Sequence, residues 1–558
     1  MSAYALLVAE GGRRRQVGDG EHIELDPIGP FHLTLIAATG LEWLASSRAL
    51  LIGRLFGRNS MNRVLEKSGL DAAVAGGLDR FERDYWGSYL LLLETADGLN
   101  VFRDPSAALP GYVGGHEGET FLVSDAGIAQ HLGLLDHPAI DREFLVRWLQ
   151  FPFLRSARTG LIGIRELQPG ESLRLGGSSD ERQIWKPASH CAPAHDDLDD
   201  AARDLRTLVR KCAPAVVGEE RALLSLSGGL DSSIVAAALV SAGIRPKAVS
   251  FASLSADGDE QAYARAVAEH LGLGLEIVRE SDAAAVSDAG LAFRPGANIL
   301  LEGVDEAIEA VRQACGAEVI VSGGGGDSLF GFSATAGCVV DAMRAGRGWE
   351  AITWVAERSD ASLWQVAWYA LKKAVRRYEK WPEDRSFLRR DALMTEAEDH
   401  PWMAGIDRLP PGKREHVISL VSILHFLDRH SLGGVSRHPL MAQPLLEFCL
   451  SVPSWLWSAG GRDRAVARSA FRDGLPRSII ERRTKGSLEG YFERRFRPLK
   501  PALSELLLDG ELAAQGVIDR ATVEAALHGD AGGEIRMRLS EIATLERWLA
   551  SWRRAGAR

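Results

Sequence analysis

Seven residues, Ser227-Gly228-Gly229-Leu230-Asp231-Ser232-Ser233, join the apolar run 223–226 to an alanine-rich stretch that ends near Gly243. A strand that breaks at two glycines and resumes as a helix is the pattern of an anion-binding turn. Glycine lets the backbone come close, and the first helical turn offers unpaired N–H groups at the positive end of the dipole. No lysine follows the glycines and the G-x-x-x-x-G-K spacing is absent, so the turn is not of the Walker type. Ser227, Gly228, Gly229, Asp231, Ser232 and Ser233 are therefore candidate phosphate contacts, with Asp231 supplying the hard oxygen that magnesium takes beside a polyphosphate. The plainer reading of the same residues is a tight strand-to-helix turn capped by an aspartate. The pattern recurs where the apolar run 319–321 empties through Ser322 and Gly323 into Gly324-Gly325-Gly326-Asp327. Two such turns on one sheet edge would set Asp231 and Asp327 across a shared phosphate, where magnesium held by both lowers the charge on a leaving pyrophosphate. Four glycines by themselves read as a flexible loop.

The elements around these turns must form a platform. From Leu205 onward, helical periods alternate with short apolar runs, which predicts a doubly wound parallel sheet with helices on both faces. Lys247-Ala248-Val249-Ser250-Phe251 reads as a second buried strand. Ligands of such sheets lie beyond the carboxyl ends of the strands, so Ser250 and Phe251 are placed near a nucleotide's base or sugar. A helix follows over 261–271, and Asp259 and Glu260 read equally as helix-start charges or as ligands. Residues 341–435 read as helical, with Trp354, Trp364, Trp368, Trp381 and Trp402 as core. A final helix carries Ile535, Leu539, Ile542, Leu549 and Trp552 on one stripe, to pack on its own domain or on a partner. The first 190 residues read as sheet-rich, with strands near 5–9, 31–37, 88–94, 121–124 and 171–175 and a helix over 141–150. The stretch 191–204 is polar and unpatterned and reads as a linker in which His190, Cys191 and His195 are solvated rather than metal-bound.

The string 227–233 resembles the pyrophosphate loop of the ATP pyrophosphatases, in the form used by asparagine synthetases and related amide-forming enzymes. The resemblance implies an N-terminal glutaminase-like αββα sandwich over 1–190, a linker over 191–204, and an asparagine synthetase-like domain over 205–558 that opens ATP to AMP and pyrophosphate with magnesium. Arg103-Asp104-Pro105, the segment 163–170 and Trp185-Lys186-Pro187 support it. Relatives that take nitrogen from glutamine expose a cysteine after the initiator methionine. Here Ser2 stands there and the first cysteine is Cys191, which implies a scaffold without glutaminase activity. Gly324 and Ser328 stand where asparagine synthetases carry glutamates, one of them near the attacking ammonia, which favours a larger amine.

Within that superfamily, His438-Pro439-Leu440 and Gln443-Pro444-Leu445 are most similar to the cyclases that close lasso peptides. Leu51-Ile52-Gly53-Arg54-Leu55-Phe56-Gly57-Arg58 is similar too, although its residues alone read as a loop with two apolar side chains turned inward. His438 reads either as a ligand or base, or as a structural histidine before a proline turn. The resemblance gives Lys485 the role of a fixed cation at the α-phosphate and the acyl-adenylate. Most of Arg472, Arg477, Arg482, Arg483, Arg494, Arg495 and Arg497 read as a solvated face, with one or two of them on phosphate. The implied partners are a precursor peptide, a leader-removing protease and a leader-recognising protein. Three alternatives stay open: a β-lactam-type synthetase, an ammonia-fed asparagine synthetase, and a non-catalytic relative that binds nucleotide or peptide.

Composition sets outer limits. The 558 residues exceed one ordinary domain, and 65 basic against 75 acidic side chains leave a net charge of −10, which argues against non-specific nucleic-acid binding. Five scattered cysteines without a C-x-x-C pair fit a reducing cytoplasm. The amino terminus does not read as a signal peptide, and no apolar run reaches the roughly 18 residues of a membrane span.

Overall fold

The computed structural model describes residues 3–10, 22–37, 40–135, 138–176, 180–253, 260–279, 290–296, 298–332, 335–375, 381–427, 435–484, 486, 489–529 and 532–556. Ser2, Asp259 and Lys485 lie outside the described residues.

The N-terminal half contains two six-stranded sheets. Alternation within the strands builds both sides of each sheet. In Tyr4–Glu10, Tyr4, Leu6 and Val8 face the space between the sheets, and meet Leu50, Ile52, Leu90 and Leu92 of the other sheet. The opposite side of the second sheet packs on the helices Lys67–Val74 and Leu78–Asp84 through Leu70, Val74 and Phe81. Ala5 and Leu7 turn outward to the helices Ala126–His131 and Arg142–Gln150. The layers are thus helix, sheet, sheet, helix, as period-two strands buried on both faces require. Residues 51–57, readable as a loop, belong to the strand Ala49–Gly57, with Leu55 and Phe56 buried. From this strand and the residue after it, Arg54 reaches Glu220 at 3.1 Å and Arg58 pairs with Glu447, riveting the sandwich to the second half.

The second half holds a five-stranded sheet, parallel throughout, in the spatial order Leu275–Arg279, Lys247–Ala252, Ala222–Ser225, Val319–Ser322, Val435–Arg437. Leu224, Ala248, Val319 and Val321 pack on one face against helices that include Leu198–Val217 and Leu230–Ser241. Leu223, Val249 and Ile320 pack on the other against Glu302–Ala314. Burial on both faces explains why these strands read as short continuous apolar runs. The chain leaves the first strand, Ala222–Ser225, for one neighbour and later returns to its other side. The carboxyl end of that strand therefore marks the point where strand order reverses and a crevice opens.

Two expectations need correction, on the linker and on the tryptophans. The stretch 191–204 is not a loop throughout: Asp197 caps a helix that starts at Leu198, accepting from the backbone N–H groups of Asp199 and Asp200. Nor are its neighbours solvated, since Cys191 is buried and His190 stacks on Trp185 with centroids 5.5 Å apart. Of the five tryptophans, Trp381 and Trp402 are core, whereas Trp364 and Trp368 are 85% and 55% exposed. The C-terminal helix Gly533–Gly556 buries Leu539, Ile542, Leu549 and Trp552 in one cluster with Phe144 and Leu145 of the sandwich. The same cluster holds Leu499, Leu503 and Leu507 of Glu489–Leu508, so the stripe packs on its own domain, as expected, and reaches the sandwich as well.

Candidate active site

The crevice at the switch point is a cleft of about 560 Å³. Its floor is the turn from Ala222–Ser225 into the helix Leu230–Ser241. Gly228 has φ +76°, and its carbonyl accepts from Arg482 Nη1 at 3.2 Å. Ser227 Oγ accepts from the Gly229 N–H at 3.3 Å and lies 3.2 Å from Ser232 Oγ. Ser227, Gly229, Asp231 and Ser232 line the cleft. Ser233 does not: it is fully buried, and its hydroxyl donates to the Gly229 carbonyl at 2.7 Å, holding the turn from behind. Gly228 likewise shapes the loop, wedged where a Cβ would press on Tyr263 and Ala264.

The four-glycine run is a fitted turn. A Cβ at Gly323 would collide with the backbone of Asp231 and Ser232, and one at Gly326 with the Asp231 side chain. A Cβ at Gly324 would stand 2.7 Å from His438 Nδ1. The glycines are needed because the second turn lies directly against the first.

That contact brings Asp231 and Asp327 together, as their matching places on neighbouring strands predict. Arg464 joins them: its Nη1 is 2.7 Å from Asp327 Oδ1 and 3.2 Å from Asp231 Oδ2. Asp463 pairs with both Arg464 and Arg468 at 2.8 Å. Burial disfavours the charged guanidinium of Arg464, but Asp231, Asp327 and Asp463 outweigh it and hold its pKa above the ordinary value. Burial would likewise raise the Asp463 carboxyl, and Arg464 and Arg468 overcome that and lower it.

Three carboxylates against two guanidiniums, with all the acid groups hard oxygen donors, suit a divalent cation on a polyphosphate. Asp231 and Asp327 are the residues that would hold magnesium. Ser250 supplies a second fit: it lines the cleft, is 2% exposed, and its hydroxyl has no hydrogen-bond partner among the described residues, which suits a nucleoside. Phe251 lines the same wall, edge-on to Tyr491 at 5.4 Å. Ser322 lines the cleft and its Oγ lies 3.0 Å from His438 Nδ1, while His438 Nε2 lies 3.1 Å from the Leu427 carbonyl. With Nε2 donating to that carbonyl, Nδ1 accepts from the serine, and the histidine orients the second turn.

Arg464 went unseen in the sequence because 233 residues separate it from Asp231. The available signal was the charged triplet Arg462-Asp463-Arg464 within an otherwise buried segment. Glu260 resolves as a structural tie: it pairs with Arg482 at 2.5 Å and accepts from the Gly486 N–H at 2.7 Å. Arg482 also lies over the Tyr263 ring at 3.9 Å. Arg482 and Gly486 are thereby tied to Glu260, and Arg482 to the Gly228 carbonyl of the phosphate turn. Elsewhere Glu82, His190 and Glu447 converge at the junction of the two halves, but Arg58, Trp185 and Gln443 already bond Glu447, and Gln443 bonds Glu82.

A parallel sheet with an acidic, glycine-built crevice at its switch point is a shape that suits a nucleoside polyphosphate. The chain belongs to the asparagine synthase family, whose profile matches residues 204–550, and it is accordingly an ATP-using ligase that forms C–N bonds. No curated protein matches it. Among solved structures it is similar to the allosteric regulatory enzyme of purine biosynthesis, at 10% identity over 57% of this chain and 83% of that one, with a TM-score of 0.20. It is also similar to the glutamine phosphoribosylpyrophosphate amidotransferase from B. subtilis complexed with ADP and GMP, at 11% identity over 58% and 75%, with a TM-score of 0.18. Scores this low carry no argument about function.

Proposed function

We propose that this chain is an ATP-dependent peptide cyclase of the lasso type, built on a sandwich that has lost its glutaminase role. A side-chain carboxylate of a precursor peptide attacks the α-phosphorus of ATP and pyrophosphate leaves. The peptide's amino terminus then attacks the acyl carbon, AMP departs, the amine proton is released, and a macrolactam remains. Magnesium held by Asp231 and Asp327 would neutralise charge on the departing pyrophosphate. Arg464 and Arg482 add fixed positive charge at the floor, and Lys485 is assigned to the adenylate and the tetrahedral intermediate. Ser250 and Phe251 face the nucleoside.

The observation that carries the choice of amine is at Gly324. Where ammonia-using relatives project a carboxylate, this chain has no side chain, and the His438 ring fills the space that a Cβ would need. Beyond it the cleft wall is apolar, formed by Phe332, Ile423, Phe426 and Leu427, a surface suited to peptide side chains and of no use to ammonia. A leader-removing protease and a leader-recognising protein would deliver the peptide.

The test is mass spectrometry of peptides with a free amino terminus and a single Asp or Glu at varied positions, incubated with ATP and magnesium. The reading predicts loss of one water from a subset of them, together with AMP and pyrophosphate. An amide formed only when ammonia is added, or no dehydration of any peptide, would refute it.

A further inference from the structure

The floor of the cleft is built of glycines and acids, but one of its walls is a helix face. Leu301, Val304, Asp305 and Ile308 line it together, at the i, i+3, i+4, i+7 spacing that one side of a helix presents. They stand at the start of Glu302–Ala314, which packs on the sheet against Leu223, Val249 and Ile320. Three of the four are aliphatic. Asp305 is the exception, and it is 1% exposed.

Ordinary helix chemistry leaves this acid unexplained. The positive end of the helix favours a carboxylate in its first turn, and Glu302 is already there, paired with Arg547 at 2.7 Å. That preference is met on any side of the turn, so it gives no reason to bury an acid on the apolar side. A carboxylate offers about four lone-pair sites, and a bond made within the fold still leaves acceptors for a ligand.

Position decides which part of the ligand meets it. The phosphates belong to the turn at Ser227, Gly229, Asp231 and Ser232, which follows the first strand. The nucleoside then extends over the neighbouring strand Lys247–Ala252, where Ser250 is 2% exposed and its hydroxyl has no hydrogen-bond partner among the described residues. Val249, the residue before it, shares a packed cluster with Val304 and Ile308 on either side of Asp305. A base is a flat apolar ring with a polar edge. Phe251, Leu301, Val304 and Ile308 suit the ring, and an acid suits an edge that donates. Adenine donates only through its exocyclic amino group.

We propose that Asp305 reads the base: its carboxylate accepts from the exocyclic amino group of adenine and makes the cleft select ATP. The inference rests on ATP use alone and holds whichever amine closes the new bond.

The test is isothermal titration calorimetry of the full chain, in magnesium, with ATP and with purine riboside triphosphate, which carries hydrogen in place of the amino group. The parent should bind ATP about 10- to 100-fold more tightly, the range of a hydrogen bond to a charged group. Asp305→Asn keeps only a neutral acceptor and should reduce that preference to about 2- to 10-fold. Asp305→Leu should bind the two alike. Each ratio is taken within one protein, so a loss of stability that weakens both ligands cancels, and Asp305→Asn decides the matter if Asp305→Leu does not fold. Any penalty on 2′-deoxy-ATP should be the same in parent and variants. A parent that binds the two triphosphates equally overturns the proposal. So does a preference undiminished in the variants, which would give the amino group another acceptor. A 2′-deoxy-ATP penalty that vanishes in the variants would give the carboxylate to the ribose and overturns it as well.

Discussion

Two charge clusters in this molecule are near-inversions of one another. In the first, one carboxylate, Glu166, meets three guanidiniums: Arg103, Arg155 and Arg294 lie within 2.9 Å of it, and all four residues are at most 6% exposed. In the second, Asp231, Asp327 and Asp463 surround Arg464 and Arg468, and the Asp327 side chain is one-third open to the cleft. Backbone carbonyls complete the first: Arg103 donates to Leu167 and Ala107, and Arg155 to Leu424. It joins the sandwich to the helix Pro411–Leu427 and is closed off from solvent. The second borders open space, where Asp231, Asp327 and Asp463 line the cleft. Closure makes a structural joint, and incompleteness makes a site.

The largest effect should come from breaking the joint. Glu166→Gln leaves three guanidiniums buried without their counter-charge, and should cost about 3–5 kcal/mol in urea unfolding. The protein that remains folded should keep its ATP turnover. Asp327→Asn should do the opposite, lowering pyrophosphate release about 100- to 1000-fold with little change in melting temperature. Arg464→Met leaves three carboxylates facing each other. Its melting temperature should fall, and magnesium chloride should restore more of the loss than it adds to the parent. A variant indifferent to magnesium would remove the metal role of Asp231 and Asp327.

Acid provides a gentler test of the joint. Burial alone would raise the Glu166 carboxyl, but Arg155, Arg294 and Arg103 bring it down to about 2. Its contribution is therefore complete above its unfolded value of 4.5 and is lost as pH falls from there toward 2. His400 and His416 act earlier, because burial lowers both to about 3 from 6.5. Both stay neutral in the fold while the unfolded chain takes up protons. Stability should thus fall by about 1.4 kcal/mol per pH unit for each histidine below pH 6.5. Urea titrations at stepped pH would show the histidine arm first, and Glu166→Gln should flatten only the lower one.

The two glycine-aspartate turns were legible because each is a local event, a strand running into a helix, and parallel pairing of neighbouring strands sets both on one edge. The strands of the first 190 residues were legible as apolar runs bounded by turn residues, whereas their layering as a sandwich was implied only by the family resemblance. What was not legible depends on distant packing. Arg464 reaches Asp231 from a separate turn. Glu260 could be read as a ligand or a helix charge until Arg482 and Gly486 came to rest on it. Ser233 belongs to the motif by sequence, yet the helical turn rotates it behind the loop. Trp364 and Trp368 have core-like spacing, and only the position of their helix shows that the packed face is the one with Val366 and Ala370.

The central claim is that the open cluster directs a carboxylate onto the α-phosphorus of ATP. Oxygen-18 placed in the side-chain carboxylate of a cyclising peptide tests it directly. The account predicts that the label appears in AMP and that pyrophosphate is unlabelled. Label in orthophosphate, released with ADP, would show attack at the γ-phosphorus and would contradict the assignment of Asp231 and Asp327.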